Sequence, residues 1–339
     1  MLRFLTAGES HGRGVFCLLE GFPAGLEVAA DDINFWLAER QKGYGRGGRQ
    51  RIETDQVDAL TGIRGGRTLG SPILLAVWNR DYANWSDAMD PWAPSTGKRA
   101  EKVIHPRPGH ADLVGALKYG HDDCRNILER ASARETAARV AAGALCRKLL
   151  AAFGVDVAAH VVQIGEVCAD TDNIPSTELR TLSMASPVRC CDSDAGARMV
   201  EAIRAAKRAK DTLGGVVEAR VWGLPAGLGS YTQWDHKLDA RIAQALMSIQ
   251  AVKGVEIGLG FRGVGNPGSQ FHDEITYDNS DTRAGGPYRR LTNRAGGTEG
   301  SMTTGEELVV RAAKKPIATL MHPLRTVDMA THAAAEALG

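Results

Sequence analysis

Short apolar blocks separated by polar segments run along the first third of the chain. Residues 3–7 and 15–20 are apolar stretches on either side of a glycine-bordered polar segment, and they predict two strands joined by a loop. Residues 31–42 predict a helix, because two aspartates can cap its start and its apolar residues share one face. Residues 72–78 predict a buried strand, and the polar residues 79–104 predict a long surface excursion.

The rest of the chain alternates between helical and extended patterns. Ser132 and Glu135 form a capping-box pattern before an alanine-rich run that continues to Phe153 and stops at Gly154. The later predicted elements are a strand at 155–167, a helix at 195–211, a strand at 215–222, a helix at 235–249 and a strand at 255–261. This alternation predicts an α/β or α+β fold. Because no linker cuts the chain cleanly in two, we expect one domain over residues 1–339.

Composition excludes several classes of protein. The 339 residues carry 41 basic and 40 acidic side chains, and this balance gives no support for a non-specific nucleic-acid binder. Six cysteines without zinc spacing predict reduced thiols and a cytoplasmic location, with no metal site. The N-terminus reaches Glu9 before a signal-like apolar region forms, and no apolar run of 18 residues occurs, so we expect no membrane span.

Arginine, histidine and glycine gather in a few short segments, which are residues 8–12, 40–49, 105–110 and 130–136. Guanidinium groups match phosphate oxygens, and glycine lets backbone N–H groups approach an anion, so these segments predict a site for a phosphorylated ligand. His11 and His110 add groups that exchange protons near neutral pH. Arg130, Arg134 and Ser132 stand at the predicted start of a helix, which also favours anions.

The glycine-rich segment at 43–48 leaves two alternatives open. It matches the pattern G-x-G-x-x-G, but a helix rather than a strand is predicted before it, which disfavours a dinucleotide-binding role. It also has the Arg-Gly character of some RNA-binding segments, although it is neither long nor repetitive. An RNA-binding protein that uses this segment therefore remains a competing hypothesis.

Taken together, these segments resemble the chorismate synthase family. The matching stretches, in the family's order, are residues 8–12, 40–49, 105–112, 130–136, 248–257, 293–297 and 315–319. The resemblance implies an α+β fold, a β-α-β sandwich with helices layered between antiparallel sheets, in a cytoplasmic homotetramer. It implies an anti-1,4-elimination of phosphate from 5-enolpyruvylshikimate 3-phosphate that gives chorismate. The reaction is implied to require reduced FMN, and no nucleic-acid or membrane partner is expected. Reduced flavin supplies the difficult electronic step, without net redox change, and the protein supplies placement and electrostatics.

The same resemblance assigns roles to residues. It implies that His110 protonates the departing phosphate and that His11 lies beside the reduced flavin. The arginines implied to bind substrate are Arg40, Arg46, Arg49, Arg107 and Arg134. The residues implied to contact FMN are Arg130, Ala131, Ser132, Gln250, Ala251, Gly300, Lys315, Pro316, Ile317, Ala318 and Thr319. Arg40 and Arg46 are also implied to bind NADPH for flavin reduction, so a flavin reductase that uses NADPH is the competing enzyme hypothesis.

The chain departs from the family pattern at three places. Ala131 stands where serine is common, and Gln250 stands where asparagine or proline is common. The sequence ends at Gly339, before the family's Arg-Ser-Asp segment. The resemblance implies that this aspartate helps to deprotonate the flavin, so we expect slow turnover from these 339 residues.

Overall fold

A computed structural model describes residues 2–45 and 52–337, apart from the side chain of Lys98. The chain forms two compact units. One consists of Met1–Leu149 together with Ala318–Gly339, and the other consists of Leu150–Ile317.

The first unit is built on a four-stranded antiparallel sheet in the order β1-β2-β6-β3. Its elements are β1 (Arg3–Gly8), β2 (Gly14–Glu20), α1 (Ala30–Gln41), β3 (Val57–Thr61), β4 (Ile63–Arg64), β5 (Arg67–Thr68), β6 (Ile73–Trp78), α2 (Asp112–Tyr119), α3 (Arg125–Ala131) and α4 (Thr136–Ala151). Short 3-10 turns lie at Arg80–Asn84, Lys98–Ala100 and Ala133–Glu135. The C-terminal hairpin of β16 (Arg325–Val327) and β17 (Ala334–Glu336) returns to this unit.

The core of this unit follows directly from the apolar patterns. Alternate residues Val15, Cys17 and Leu19 of β2 point to the buried side of the sheet, as the period of two in a strand requires. They share one core cluster with apolar residues of α1 and with the alanine-rich face of α4. Each large apolar side chain buried here contributes about 1.5–3 kcal/mol relative to exposure.

The second unit is built on a five-stranded antiparallel sheet in the order β10-β15-β9-β7-β8. Its elements are β7 (Asp156–Ile164), β8 (Val167–Cys168), α5 (Ser176–Ala185), α6 (Ser193–Arg208), β9 (Gly215–Trp222), α7 (Leu238–Met247), β10 (Val252–Ile257), α8 (Gly268–Phe271), β11 (Ile275–Tyr277), β12 (Tyr288–Arg290), β13 (Thr298–Glu299), β14 (Met302–Thr303) and β15 (Leu308–Lys314). Helices α5 and α6 pack on β7, and α7 packs on β10. Because every strand pairing in the described residues is antiparallel, the fold is α+β rather than parallel α/β.

The predicted helix start at Ser132 is wrong by four residues. Ser132 accepts a hydrogen bond from the backbone N–H of Arg134, a 3-10 turn follows, and the α-helix begins only at Thr136. The carboxylate of Glu135 accepts hydrogen bonds from Thr6 and Arg139. The glutamate that the sequence pattern assigned to a local cap therefore binds a distant residue, Thr6, and a residue one turn further along the helix, Arg139.

Other differences concern segments whose burial depends on the rest of the fold. The predicted excursion at 79–104 contains the buried residues Asn79, Ala88 and Val103, so it is not wholly a surface feature. Helices α2, α3 and α5 were not predicted, and the strand expected at 255–261 lies at Val252–Ile257. Within residues 2–45 and 52–337, no helix combines the length and apolar character needed to cross a bilayer.

Candidate active site

His11 lies in the loop between β1 and β2, and a buried carboxylate holds it. Glu129 of α3 accepts hydrogen bonds from the backbone N–H of His11 at 2.8 Å and from its Nδ1 at 2.8 Å. The backbone N–H of Ser10 donates to the carbonyl of Glu129 at 2.9 Å. Trp85 stacks on the imidazole with ring centroids 4.0 Å apart. These contacts fix the position and plane of a ring that stays partly exposed.

The environment of Glu129 favours its ionised form. Burial acts against the charge, but hydrogen bonds and electrostatic attraction from His11, together with the nearby Arg125, outweigh it and hold the pKa of Glu129 below its usual range. Glu129 is therefore a carboxylate at neutral pH. A carboxylate at Nδ1 requires that nitrogen to carry a proton, which directs acid–base exchange to Nε2.

Arg134 and Arg40 meet at one buried carboxylate. Arg134 donates from Nη1 to Asp55 at 2.6 Å and from Nε to the amide oxygen of Asn79 at 2.8 Å. Its Nη2 has no hydrogen-bond partner within the described part of the chain and lies 3.8 Å from Glu53. Arg40 donates from Nη1 to the other oxygen of Asp55 at 3.3 Å. Two of the arginines expected to bind substrate therefore lie side by side.

His110 and Arg107 form a second cluster, which Asp112 organises at the start of α2. One oxygen of Asp112 lies 2.5 Å from Nδ1 of His110, and the other accepts from Nε of Arg107 at 2.9 Å. Arg107 also donates from Nη1 to the hydroxyl of Thr319 at 3.0 Å. Burial opposes ionisation of Asp112, but hydrogen bonds from His110 and Arg107 hold its pKa well below the usual range. Helices α2 and α3, which carry the anchors of the two histidines, pack against each other.

The residues expected to contact FMN divide between the two units. In the first unit, Arg130 donates to the carbonyl of Thr6 at 2.9 Å, and the hydroxyl of Ser132 donates to that of Ser10 at 3.0 Å. Both residues therefore contact the strand and loop that lead to His11. Ala131 ends α3 next to them, and Ala318 lies beside Thr319 in the chain.

In the second unit, pairing of β10 with β15 joins two of the expected cofactor segments. The backbone N–H of Lys315 donates to the carbonyl of Ala251 at 2.9 Å. Ala251 has φ +69°, which is unusual for a residue with a side chain, and Gly300 has φ +55° in the tight turn between β13 and β14. The remaining expected contacts of this unit, Gln250, Pro316 and Ile317, adjoin these positions in the sequence.

Two expected substrate arginines, Arg46 and Arg49, lie outside the described residues. The Arg-Gly segment that motivated the RNA-binding hypothesis is described only as far as Gly45. Among the residues that the structure describes, no group of three histidine, cysteine or acidic side chains could hold a metal ion.

Sequence reasoning missed the residues that orient the candidate groups. Glu129, Asp112 and Asp55 are buried carboxylates that hold the two histidines and three arginines, and Asn79 holds the His11 loop. Asp112 could have been predicted from the sequence, because it lies two residues from His110 in a segment that the resemblance already included. Asn79 and Glu129 carry no local signal that separates them from other polar residues.

An α+β chain that anchors two histidines on buried carboxylates, with arginines gathered beside them, has the features of an enzyme that acts on a phosphorylated small molecule. Comparison with known proteins identifies the family to which this enzyme belongs. The sequence model of the chorismate synthase family matches residues 2–338. The chain belongs to the chorismate synthase family and is a lyase by that membership, which implies a reduced flavin and a small phosphorylated substrate.

Individual relatives agree with the family match. The chorismate synthase of Trichlorobacter lovleyi is 55% identical over 338 residues, which cover 99% of this chain and 86% of the relative. That of Moorella thermoacetica is 57% identical over 332 residues, covering 98% and 84%. A solved crystal structure of a chorismate synthase superposes with a TM-score of 0.77 at 42% identity, over 93% of this chain and 85% of that one. None of these similarities supports the flavin reductase or RNA-binding hypotheses.

Proposed function

We propose that this chain converts 5-enolpyruvylshikimate 3-phosphate to chorismate and phosphate by an anti-1,4-elimination that depends on reduced FMN. The observation that carries the proposal is the family match over residues 2–338, together with the pairing of each candidate histidine with its own buried carboxylate. The leaving phosphate needs cations and a proton donor, and this chain supplies both from residues of its first unit.

The arginines have the charge that the substrate phosphate requires. Arg40, Arg107 and Arg134 are each held by a buried carboxylate through at least one charge-assisted hydrogen bond. Holding them in advance lowers the reorganisation needed when the dianion binds, which is the main benefit of electrostatic preorganisation. Arg46 and Arg49 are proposed to join them on the strength of the family resemblance.

His110 is proposed as the proton donor to the departing phosphate. Its Nδ1 faces Asp112 at 2.5 Å, so the proton would leave from Nε2 on the opposite side of the ring. The carboxylate stabilises the imidazolium that exists before the transfer, and it keeps one tautomer after the transfer. Arg107 shares the same carboxylate, so the acid and a phosphate-binding cation are positioned by one anchor.

We propose FMN as the flavin from the family resemblance. In the first unit, Arg130 supplies a cation, and Ser132 and Thr319 supply hydroxyls, which are groups that suit a phosphate or a polar ring edge. Ala251 in the left-handed region is the kind of backbone strain that clusters at ligand sites. Bound reduced flavin would supply the electron that the elimination needs temporarily. His11, held at Nδ1 by Glu129, is proposed to provide a proton at Nε2 to the anionic ring of the flavin.

Five further features belong to the proposal. The two units are expected to act as one catalytic domain over residues 1–339, because the family match spans them both. We propose the β-α-β sandwich and the homotetramer from the family resemblance. We propose a cytoplasmic location because all six cysteines are free. Reduction of FMN is assigned to an outside donor, and NADPH binding at Arg40 and Arg46 is the alternative route.

The test is an anaerobic assay with FMN, dithionite and 5-enolpyruvylshikimate 3-phosphate, in which chorismate and released phosphate are both measured. We expect equal amounts of the two products, and none without reduced flavin. His110→Ala should lower the rate, whereas His121→Ala, a change at an exposed histidine of the same unit, should not. Phosphate release without chorismate, or turnover that is independent of flavin, would contradict the proposal.

A further inference from the structure

Asn79, the residue directly after β6, is buried and connects two parts of the candidate site. Its amide nitrogen donates to three backbone carbonyls of the His11 loop, at 3.1 Å to Glu9, 3.1 Å to Ser10 and 2.8 Å to Gly12. Its backbone N–H donates to the carbonyl of Arg13 at 2.9 Å. One residue therefore holds both ends and the middle of the loop that carries His11.

The other end of the same amide faces Arg134. The oxygen of Asn79 accepts from Nε of Arg134 at 2.8 Å. A carbonyl oxygen only accepts and an NH₂ group only donates, so the surroundings permit one orientation of the amide. A flipped amide would place its oxygen against three carbonyl oxygens and its N–H groups against a guanidinium. The loop and the arginine are therefore connected through a group that cannot reverse.

Neither aspartate nor leucine would satisfy both neighbours. Aspartate would bring negative charge against the three carbonyls, and leucine would leave the carbonyls and Nε of Arg134 without this partner. Because Ser10 and Gly12 are buried, water has little access to replace the lost bonds. The sequence gives no hint of this role, since Asn79 lies 68 residues from His11 and 55 residues from Arg134.

We propose that Asn79 is a positioning residue that sets the placement of His11 and of Arg134 together. This inference rests on the proposed function, because it gives His11 and Arg134 their roles in the reaction. Loss of the amide should let the 9–12 loop shift relative to Glu129, and a shift of about 1 Å in a positioned group costs on the order of 10²-fold in rate. Loss of the Nε partner should weaken substrate binding through Arg134.

A double-mutant cycle separates positioning from a general loss of structure. We expect Asn79→Ala to lower kcat by about 10–100-fold in the wild-type background, since the reacting group is displaced. In a His11→Ala background, the same change should lower kcat by less than about 3-fold, because the group that Asn79 positions is gone. The rise in KM should persist in both backgrounds, since it acts through Arg134. An equal loss of kcat in both backgrounds would overturn the proposal.

Asn34→Ala is the matched control. Asn34 lies in α1 of the same unit, and its amide oxygen accepts from the backbone N–H of Val57 at 2.8 Å. The change therefore removes a side-chain hydrogen bond to the backbone of the same unit, between α1 and β3 rather than in the His11 loop. Its effect on kcat should be small, and independent of His11. If Asn34→Ala lowers kcat as much as Asn79→Ala, the Asn79 effect is merely structural and the inference fails.

A measurement without turnover keeps the inference separate from the proposed function. The imidazole NMR signals of His11, assigned by comparison with His11→Ala, should change chemical shift in Asn79→Ala but not in Asn34→Ala. If Asn79→Ala does not fold, Asn79→Ser, which keeps one donor, replaces it in both experiments. Unchanged His11 signals would overturn the inference. A wild-type protein that produces no chorismate would instead overturn the proposed function and leave the NMR result to decide the role of Asn79.

Discussion

Replacing Asp55 by asparagine tests the most buried ion pair of the candidate site. The side chain of Asp55 is fully buried, with Arg134 at 2.6 Å and Arg40 at 3.3 Å. The side chain of Arg134 is itself only 6% exposed. Asparagine keeps the shape and one acceptor oxygen, but it removes the charge that balances two cations. The change therefore isolates charge from packing.

The expected loss in the free energy of unfolding follows from the burial of this ion pair. Removing one partner of a buried ion pair typically costs 3–5 kcal/mol, because the remaining charge stays away from water without compensation. The retained oxygen can still accept one hydrogen bond, and Glu53 lies 3.8 Å from Nη2 of Arg134. Both features reduce the cost, so we expect Asp55→Asn to lower the free energy of unfolding by about 3 kcal/mol.

Urea unfolding at pH 7, followed by tryptophan fluorescence, measures this loss. Trp36, Trp78, Trp85 and Trp92 all belong to the first unit, so the signal reports largely on the part of the chain that contains Asp55. The control is Glu201→Gln, which removes an ion pair with Arg204 on the surface of α6.

In that pair the side chains are 62% and 50% exposed, and the expected loss is below about 0.5 kcal/mol. Equal losses for Asp55→Asn and Glu201→Gln would refute the argument that burial makes the Asp55 pair costly to break. In the anaerobic assay, Asp55→Asn should also raise the KM for substrate, because Arg40 and Arg134 lose their common anchor.

Three further predictions follow from the same geometry. His110→Ala should lower kcat by about 10²–10⁴-fold with little change in substrate Kd measured by calorimetry, as expected for loss of a general acid; an unchanged kcat would make the histidine structural. Asp112→Asn should destabilise the protein at neutral pH, because the carboxylate pKa is depressed by folding. This stability is present above the unfolded-state pKa near 3.8 and is lost as pH falls below it, so the two urea midpoints should converge in acid; a constant gap would contradict it. Gly8→Ala should lower the thermal midpoint clearly more than Gly25→Ala, because both have positive φ but a Cβ at Gly8 would lie 2.2 Å from the carbonyl oxygen of Gly14, whereas none lies within 4 Å at Gly25. Equal midpoints would rule out that contact.

Elements with a strong local pattern were predictable from the sequence alone. Strands β1, β2 and β6 and helix α1 lie where short apolar runs or one-sided apolar spacing predicted them. The candidate histidines and arginines were also recognisable, since each stands in a segment with an unusual local composition. Local composition predicts these features because the apolar spacing of a strand or helix, and the clustering of charged residues with glycine, are complete within a few residues.

Features that depend on distant partners were not predictable in this way. The antiparallel order of both sheets decided between the α/β and α+β alternatives that the element pattern had left open. The helix expected at Ser132 begins later, at Thr136, and Glu135 contacts Thr6 in β1. At this helix start, the contact between Glu135 and Thr6 competes with a local capping preference that is worth only about 1 kcal/mol.

The buried carboxylates that hold the candidate histidines and arginines show most clearly that distant partners cannot be predicted from local sequence. The chain has 40 acidic residues, and nothing near Glu129 in the sequence marks it as the partner of His11, which lies 118 residues away. A carboxylate becomes an anchor when folding buries it beside a cation or a ring nitrogen, since only there is an unmet hydrogen bond costly. The sequence by itself therefore determined which groups could perform the chemistry, and the tertiary structure decided which buried neighbours hold them in place.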